Sequence, residues 1–288
     1  MFRILFLACL LTGSQLYAQI KIFEPQHISD DQSFGISIAP EGNQLLFVKA
    51  YGGRDSLHLF ESRRINGKWK KAQKAFFANT NVNQIDPSFS PNGKHILFNS
   101  LLTEERGYDV YMLTKTAEGW TKPELLPKTI NTAKHEFYAT MALNGNIYFT
   151  RRNESNDIYV SKWSNEGYSK AEALKGGINT KFSDSNPYIS PNEDFLIFIS
   201  NRDGGYGNAD LYISFKNKDD FWSTPQNLGV FINTKASEFC PTIALKTKRF
   251  LFSRTIIQNE IRIENIYEVP LRKLQLKKKR KQAIWPKQ

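Results

Sequence analysis

The fold is decided by the stretch at residues 187–200, which reads PYISPNEDFLIFIS, because its pattern occurs five times along the chain. Each copy is a short alternating run, a polar turn and an apolar run that ends in Phe. The other copies read ISIAPEGNQLLFVK at 36–49, PSFSPNGKHILFNS at 87–100, ATMALNGNIYFTR at 139–151 and PTIALKTKRFLFSR at 241–254. The final residues Phe47, Phe98, Phe149, Phe198 and Phe252 are separated by 51, 51, 49 and 54 residues. Such a period is typical of an array of supersecondary units.

Three further motifs repeat in phase with these copies. One joins an acid, an aliphatic residue and Tyr, at Asp109-Val110-Tyr111, Asp157-Ile158-Tyr159 and Asp210-Leu211-Tyr212. Another places an aromatic residue three positions before Pro or Ala, at Trp69, Trp120, Tyr168 and Trp222. The last is a polar connection, at Asn79-Thr80, Asn131-Thr132, Asn179-Thr180 and Asn233-Thr234. Each unit therefore carries four short strand patterns and no helical period.

A unit of four antiparallel strands and about 50 residues is a propeller blade. One blade buries its two faces only by packing between neighbours, which a ring provides. The sequence predicts an all-β, five-bladed β-propeller over residues 19–271, without helices, and a six-bladed ring is the second choice. We expect residues 20–28 to close the ring by pairing with the last blade, because the fourth strand of that blade is poorly marked after Leu271.

The units resemble the WD40-like repeats of the PD40 type, found in the periplasmic TolB propeller and in other exported proteins of Gram-negative bacteria. The segments that carry the resemblance are SNPYISPN at 185–192, RDGGYGNADLY at 202–212 and DPSFSPNGK at 86–94. Three copies depart from the pattern, since Ile36, Ala139 and Leu245 stand where Pro is usual. The resemblance implies a docking or ligand-binding module in the cell envelope.

The two ends of the chain differ from its body. Residues 1–18 read as an export signal, with Arg3 first, an apolar run next, and Ala18 before the expected cleavage. Lipidation at Cys9 is the alternative, and cleavage after Ala18 leaves Cys240 as the only thiol. The net charge is +11, but eight basic residues without an acid lie in the tail at 272–288 and one lies in 1–18, which leaves +2 for the body. A nearly neutral body argues against a nucleic-acid-binding face.

Residues that recur in every blade are expected to serve the fold. The carboxylates of Asp109, Asp157 and Asp210 are predicted to accept N–H bonds from the preceding loop. Large aromatic residues of the second motif are predicted to pack between blades. The Asn-Thr pairs are predicted to satisfy backbone groups of the crossovers between blades. The loop DGGYGNAD at 203–210 lacks the alternating oxygen ligands of a calcium loop, so a glycine-rich turn with an exposed Tyr206 is expected.

Functional residues are expected where the blades differ, at the mouth of the central channel. The innermost strands begin there with Ser33, Gln84, Glu136, Asp184 and Glu238, and the second strands end nearby with Lys49, Ser100, Arg151, Ser200 and Arg254. The sequence predicts a polar funnel made by Glu136, Asp184, Glu238, Arg151 and Arg254, with Gln84 and His135 beside it. Two interpretations stay open: ion pairs that close the entrance, and a site for a ligand or peptide.

Binding is favoured over catalysis because the common catalytic motifs are missing from the sequence. The chain lacks Gly-x-Ser-x-Gly, His-Glu-x-x-His, a Walker loop and Cys-x-x-Cys, and its four His residues lack ligand spacing. We therefore expect no cofactor and no metal. The alternative is a glycan hydrolase that uses two of the mouth carboxylates, since paired carboxylates perform that reaction.

The expected partner is an envelope protein, a peptide or a glycan held at the channel mouth, in the periplasm or outside the cell. No nucleic acid is expected, and no segment of the mature chain is apolar enough to cross a membrane. The basic tail is expected to be solvated and disordered. The alternative is that the basic tail contacts an anionic surface.

Overall fold

The computed structural model describes residues 19–25, 27–101 and 107–285. The predicted signal at 1–18, with Cys9, lies outside the described residues, as does the end of the tail at 286–288. Over the described residues the chain forms five antiparallel sheets arranged as the blades of a β-propeller, so the predicted fold is confirmed.

The strands follow one another blade by blade. The chain enters with β1 (Lys21–Ile22). Blade 1 holds β2 (Ser33–Ile38), β3 (Gln44–Tyr51), β4 (Ser56–Ile65), β5 (Lys68–Trp69) and β6 (Gln73–Lys74). Blade 2 holds β7 (Gln84–Phe89), β8 (His95–Leu101), β9 (Tyr108–Thr116), β10 (Gly119–Trp120) and β11 (Glu124–Leu125).

The remaining blades follow the same order. Blade 3 holds β12 (Glu136–Met141), β13 (Ile147–Arg152), β14 (Asn156–Ser161), the small pair β15 (Trp163–Ser164) and β16 (Gly167–Tyr168), and β17 (Glu172–Ala173). Blade 4 holds β18 (Asp184–Ile189), β19 (Phe195–Ser200), β20 (Asp210–Phe215) and β21 (Gln226–Asn227). Blade 5 holds β22 (Ser237–Ala244), β23 (Arg249–Gln258) and β24 (Ile261–Pro270).

The ring closes as the sequence predicts. Strand β1 pairs with β24 as the fourth strand of blade 5, with Lys21 opposite Glu268 and Ile22 opposite Tyr267. Phe23 and Ile28, which follow β1, are buried in the cluster that joins blades 5 and 1. The two ends of the chain therefore share one sheet, and its pairing holds the ring together.

The core lies between the blades, where the repeated residues pack. The repeated Phe residues are buried, and the following Tyr of the third strand stacks on four of them: Tyr111 on Phe98, Tyr159 on Phe149, Tyr212 on Phe198 and Tyr267 on Phe252. The predicted packing of Trp between blades is confirmed at Trp222, which meets Tyr148 of blade 3 edge to face at 6.3 Å. Burial of such aromatic surface is the main term that stabilises each interface between blades.

Crossover asparagines fix the start of each crossover to the blade that it leaves. Asn131 accepts a hydrogen bond from Val110 N at 2.8 Å and donates to Val110 O and Leu126 O at 2.9 and 3.0 Å. Asn179 and Asn233 repeat this arrangement on the third strands of blades 3 and 4. The predicted role of these residues is confirmed, since the side-chain amide replaces a strand partner for the third strand.

Two expectations about the end of the chain are wrong. A 3-10 turn, Leu271–Leu274, and a helix, α1 (Leu276–Lys281), follow β24, so the chain is not free of helices. The described part of the tail is also ordered against blades 4 and 5, where Leu274 is buried and Trp285 packs on the same cluster. The physical reason is an apolar residue at each turn of a segment that otherwise contains good helix formers.

Candidate functional site

The channel is lined by the first strand of each blade. Each of these strands has a register shift after its second or third residue, where the next residue adopts a left-handed backbone conformation. The five left-handed residues, with φ between 50° and 59°, are Gly35, Asp86, Tyr138, Asn186 and Cys240. The side chains of Asp86, Tyr138, Asn186 and Cys240 are buried, and the Tyr138 hydroxyl of blade 3 donates across the axis to Pro241 O of blade 5 at 2.9 Å. The channel is therefore filled with side chains at this level.

The predicted mouth carboxylates lie just above this level and are completely buried. Glu136, Asp184 and Glu238 have no exposed surface. Each accepts hydrogen bonds from the backbone N–H and the hydroxyl of its own crossover Thr, at 3.0 and 2.6 Å for Glu136 and at 3.0 and 2.7 Å for Glu238. Asp184 has the same two partners in Thr180 at 2.7 Å.

An arginine completes each of these three groups, which we call the crossover ion pairs. Arg151 donates to Glu136 and Arg254 to Glu238, both at 2.7 Å, and each arginine also donates to a crossover carbonyl. The guanidinium groups lie 4.5 and 4.6 Å from the ring centres of Tyr159 and Tyr267. The Tyr of each third strand thus packs against the arginine of the ion pair and also against the Phe of the second strand.

Blade 4 forms its ion pair with a residue that the sequence comparison missed. Ser200 occupies the register position of Arg151, but the arginine comes from Arg202, which donates to Asp184 at 2.7 Å and to Ile178 O at 2.7 Å. Ser200 accepts from Arg202 Nε at 2.9 Å. The signal was present as Arg-Asp-Gly at 202–204, two residues beyond the expected position.

The other predicted residues have neutral or separate partners. Gln84 accepts from Asn79 N at 2.8 Å and lies 3.5 Å from the Ser100 hydroxyl, a neutral version of the crossover ion pair. In blade 1, Ser33 and Lys49 both bind Asp30. His135 accepts from Tyr108 N at 3.4 Å, and burial lowers its pKa. The structure therefore gives each mouth carboxylate partners in its own blade and crossover. Whether these residues also bind a ligand stays a prediction.

A bridge between blades 1 and 5 crosses the mouth. Arg54, in the 3-10 turn Gly52–Arg54 with φ of 98°, makes two hydrogen bonds to Glu264 of β24, at 2.7 and 3.0 Å. Its guanidinium lies 4.3 Å above the ring centre of Phe34 and 5.4 Å from that of Phe239. About a third of the Arg54 side chain is exposed, whereas Glu264 is buried. The sequence signal was Gly52-Gly53-Arg54 in the connection between the second and third strands of blade 1.

Beneath the bridge lies one buried carboxyl group, Asp86. Burial raises its pKa to about 7, although the positive charge of Arg54 opposes the shift. Burial, together with the nearby Asp86 carboxyl group, raises the pKa of Tyr108 to about 12. Burial also raises the pKa of the Cys240 thiol. Asp86 therefore carries a proton over much of the acidic and neutral range, unlike an ordinary aspartic acid.

The last two strands extend beyond their blade on the mouth side. Strands β23 and β24 have ten residues each, against six in β19 and β20. Their ends form what we call the isoleucine hairpin, residues 255–264, with the left-handed pair Asn259 and Glu260 at its turn. Its exposed apolar side chains are Ile256, Ile257 and Ile261, at 39%, 61% and 65% of their surface. In the sequence, the hairpin corresponds to the run TIIQNEIRIE at 255–264, which lies outside the repeated pattern.

The glycine-rich loop at 203–210 has the predicted form of a turn. Asp210 accepts from Tyr206 N and Gly207 N at 2.6 and 3.1 Å, which confirms its predicted role, and Tyr206 is half exposed. Asp157 instead accepts from the Asn153 side chain. A Cβ atom at position 207 would lie 2.2 Å from Ala236 O, so the loop can pack against the next crossover only with glycine at this position. Within the described residues, no group of three or more potential metal ligands comes together.

Comparisons with known proteins agree with the fold. No family model matches the chain, and no curated protein matches it. Similar solved structures include a putative TolB from Agrobacterium tumefaciens, with 17% identity, TM-score 0.50 and coverage of 78% of this chain and 70% of that one. TolB from Acinetobacter baumannii has 14% identity, TM-score 0.50 and coverage of 83% and 55%. A GH43_12 protein from a capybara gut metagenome has 12% identity, TM-score 0.53 and coverage of 90% and 54%.

These similarities confirm the expected likeness to TolB propellers at the level of the fold. The chain spans about half the length of the second and third of these structures. Among the described residues, the helices are too short to cross a membrane.

Proposed function

We propose that the protein is an exported binding module of a Gram-negative cell envelope, which docks a protein partner on the mouth face of its propeller. One observation carries the proposal. The isoleucine hairpin places three exposed apolar side chains beyond the sheet of blade 5. Two of them, Ile256 and Ile261, share one face of the hairpin with the half-buried Ile263, while Ile257 lies on the other face. Grouped exposed apolar residues mark interaction sites, because isolated ones are common but grouped ones are costly in water.

The ion pair of Arg54 with Glu264, beside the hairpin, also favours the mouth face as the docking surface. Arg54 contacts Glu264, which is the last residue of the hairpin, and its guanidinium remains partly exposed. An acidic group on a partner could therefore approach Arg54 while an apolar group covers Ile257, which shares the hairpin face of Glu264. The expected partner is a protein or peptide that combines an apolar segment with a carboxylate.

The crossover ion pairs support binding over hydrolysis. A glycoside hydrolase needs one carboxylic acid and one carboxylate that both reach the scissile bond. Glu136, Asp184 and Glu238 are buried, and each is held by its Thr and by an Arg. These groups fit the interpretation in which ion pairs close the channel entrance, and they leave the protruding hairpin as the contact surface.

The docking proposal is tested by site-specific crosslinking. A photoreactive side chain at Ile257 should capture one envelope protein, which is then purified and titrated against the chain. The variant Ile256→Ser/Ile257→Ser/Ile261→Ser should weaken its Kd by at least tenfold, since burial of each isoleucine contributes about 1–2 kcal/mol. A control with the exposed residues of other surfaces changed, Ile65→Ser/Leu125→Ser/Leu143→Ser, should bind normally. Equal binding by both variants would exclude the hairpin as the contact.

Export is tested on the protein that the cell accumulates. Mass spectrometry should find an N terminus at Gln19, in agreement with the sequence pattern before it. A chain that begins with a lipid-modified Cys9 would contradict cleavage after Ala18.

Hydrolysis of a glycan is the second candidate, and one observation favours it. The pKa of Asp86 is raised to about 7, which suits a general acid, although the carboxyl group is buried beneath the Arg54 bridge and a substrate would have to displace that bridge. The GH43_12 structure shares the fold at 12% identity, which shows the architecture alone. Turnover of any member of a glycan panel, lost in Asp86→Asn, would favour this candidate over docking.

A further inference from the structure

A second surface lies at the opposite end of the strands from the channel mouth. The mouth end of blade 5 is marked by Glu238 paired with Arg254, and the far end by Ala244, Arg249 and Pro270 in register. At this far end, the turn between β22 and β23, the end of β24, the segment at residues 19–21 and α1 line a cleft of about 1280 Å³. We call it the basic cleft. Its volume is larger than that of most small-molecule sites, which reach about 1,000 Å³.

Cations dominate the wall of the basic cleft. Six basic residues and no acid line it, and one of the six, Arg249, is neutralised by Glu268 at 2.9 Å. The other five make no ion pair with any described acid: Lys21, Lys248, Arg272, Lys277 and Lys278. Like charges gathered without counter-charges raise the local potential, so the cleft attracts anions.

Part of the wall is apolar. Pro270, Leu271 and Leu276 line the same cleft as the cations. Leu271 and Leu276 are half-buried and pack against the cluster of blades 4 and 5. An inorganic anion would leave this apolar surface in water, whereas a ligand with a hydrocarbon part would cover it.

The tail that builds the cleft is fixed in place. Arg280 donates to Asp194 O and Lys216 O at 3.0 Å each, and Lys279 donates to Asn227 O at 3.0 Å. Thr224 N donates to Ile284 O at 2.7 Å beyond the helix. These contacts use Lys279 and Arg280 to hold α1 on blade 4, and leave Lys277 and Lys278 exposed toward the cleft. The two sets of basic residues therefore have different roles.

We propose that the basic cleft binds an anionic phospholipid, with the phosphate among Arg272, Lys277 and Lys278 and the start of an acyl chain against Leu271 and Leu276. The charge and the apolar wall together select this class of ligand, because a sugar phosphate lacks the hydrocarbon and a neutral lipid lacks the charge. The proposal is independent of the docking partner, since the cleft and the isoleucine hairpin lie at opposite ends of blade 5.

Soluble ligands test the site. The purified chain is titrated with dihexanoyl phosphatidylglycerol, dihexanoyl phosphatidylcholine and glycerol 3-phosphate below their micellar concentrations. We expect the phosphatidylglycerol to bind at least tenfold more tightly than either of the others. Equal affinity for glycerol 3-phosphate would show a simple anion site, and equal affinity for phosphatidylcholine an apolar one. Either result, or no binding of phosphatidylglycerol, overturns the proposal.

Variants test the location. Arg272→Ala/Lys277→Ala/Lys278→Ala should weaken binding to phosphatidylglycerol vesicles by about 100-fold, at about fivefold per charge. The control Lys122→Ala/Lys128→Ala/Lys170→Ala removes the same charge from exposed positions of blades 2 and 3 and should bind within about twofold of the wild type. Equal loss in the two triple variants would mean that net charge alone directs binding and would overturn the proposal. Unchanged melting of each variant shows that it is folded, and Lys277→Glu serves as a single-site replacement if a triple variant melts early.

Discussion

The contribution of the blade 5 crossover ion pair to the free energy of unfolding can be calculated from the structure. Arg254 lies between the fully buried Glu238 and the Ile232 carbonyl, at 2.7 and 3.0 Å. The change Arg254→Ser leaves Glu238 as a buried carboxylate without its cation. Breaking a buried pair in this way costs about 3–5 kcal/mol. In a domain of this size the melting temperature should fall by roughly 10 °C.

Blade 2 supplies the compensating change. The positions of Glu238 and Arg254 are occupied there by Gln84 and Ser100, which face each other without a charge. The double variant Glu238→Gln/Arg254→Ser therefore copies a solution that the chain already uses. It should recover at least about 2 kcal/mol of the loss, because an amide left in a buried position costs less than a carboxylate.

The assay is a double-mutant cycle in urea, with Glu238→Gln as the second single variant. Unfolding followed by Trp fluorescence gives the free energy of unfolding of all four proteins. A loss below about 1 kcal/mol in Arg254→Ser would refute the buried-charge argument. A double variant no more stable than Arg254→Ser would refute the comparison with blade 2. The same cycle at Arg151 and Glu136 should give a coupling of the same sign.

Three further changes have clear expected outcomes. Deletion of residues 19–28 removes β1 and the buried Phe23 and Ile28, so the melting temperature in a thermal scan should fall by more than about 10 °C; an unchanged value would contradict closure through β1. The pKa of Asp86 is about 7 in the folded state and 3.8 ordinarily, so the folded state holds this proton more tightly than the unfolded state. Stability therefore falls as the pH rises from about 4 to about 7. Asp86→Asn should remove that fall and exceed the wild type by up to about 4 kcal/mol at pH 8 in urea titrations. Truncation after Gln275 should lower the urea midpoint, since Leu276, Ala283 and Trp285 cover the cluster of blades 4 and 5; a disordered tail would leave it unchanged.

The repeat is what made the fold predictable from the sequence. A residue that recurs in phase performs the same physical task in each blade, and five copies separate that task from chance. The Asn of the crossovers illustrates this, since Asn131, Asn179 and Asn233 bind the same backbone groups in three blades. Ring closure followed from the same logic, because the one missing strand had to come from the other end of the chain.

Features outside the period were not predictable in this way. Arg54, the isoleucine hairpin and α1 each occur once, so no second copy reveals their partners. Arg202 shows a smaller form of the same problem, since a shift of two residues took the arginine of blade 4 out of the aligned position. The left-handed residue of each inner strand also escaped notice, because Gly35, Asp86, Tyr138, Asn186 and Cys240 share a backbone angle but no chemistry.

The two proposed surfaces are separated by the length of the blade strands, which gives a final prediction. A strand of six residues, as in blade 4, spans about 20 Å. The ion pairs, the crossover amides and the channel side chains between them are buried and hydrogen-bonded, so we expect the two surfaces to act independently. Changes at Lys277 and Lys278 should therefore leave binding of the docked partner unchanged, and changes at Ile257 should leave lipid binding unchanged. Titration of the partner in the presence and absence of phosphatidylglycerol vesicles measures the coupling directly. A change in Kd beyond about twofold would mean that the propeller transmits a signal between its faces, and that the interior is less rigid than its bonding indicates.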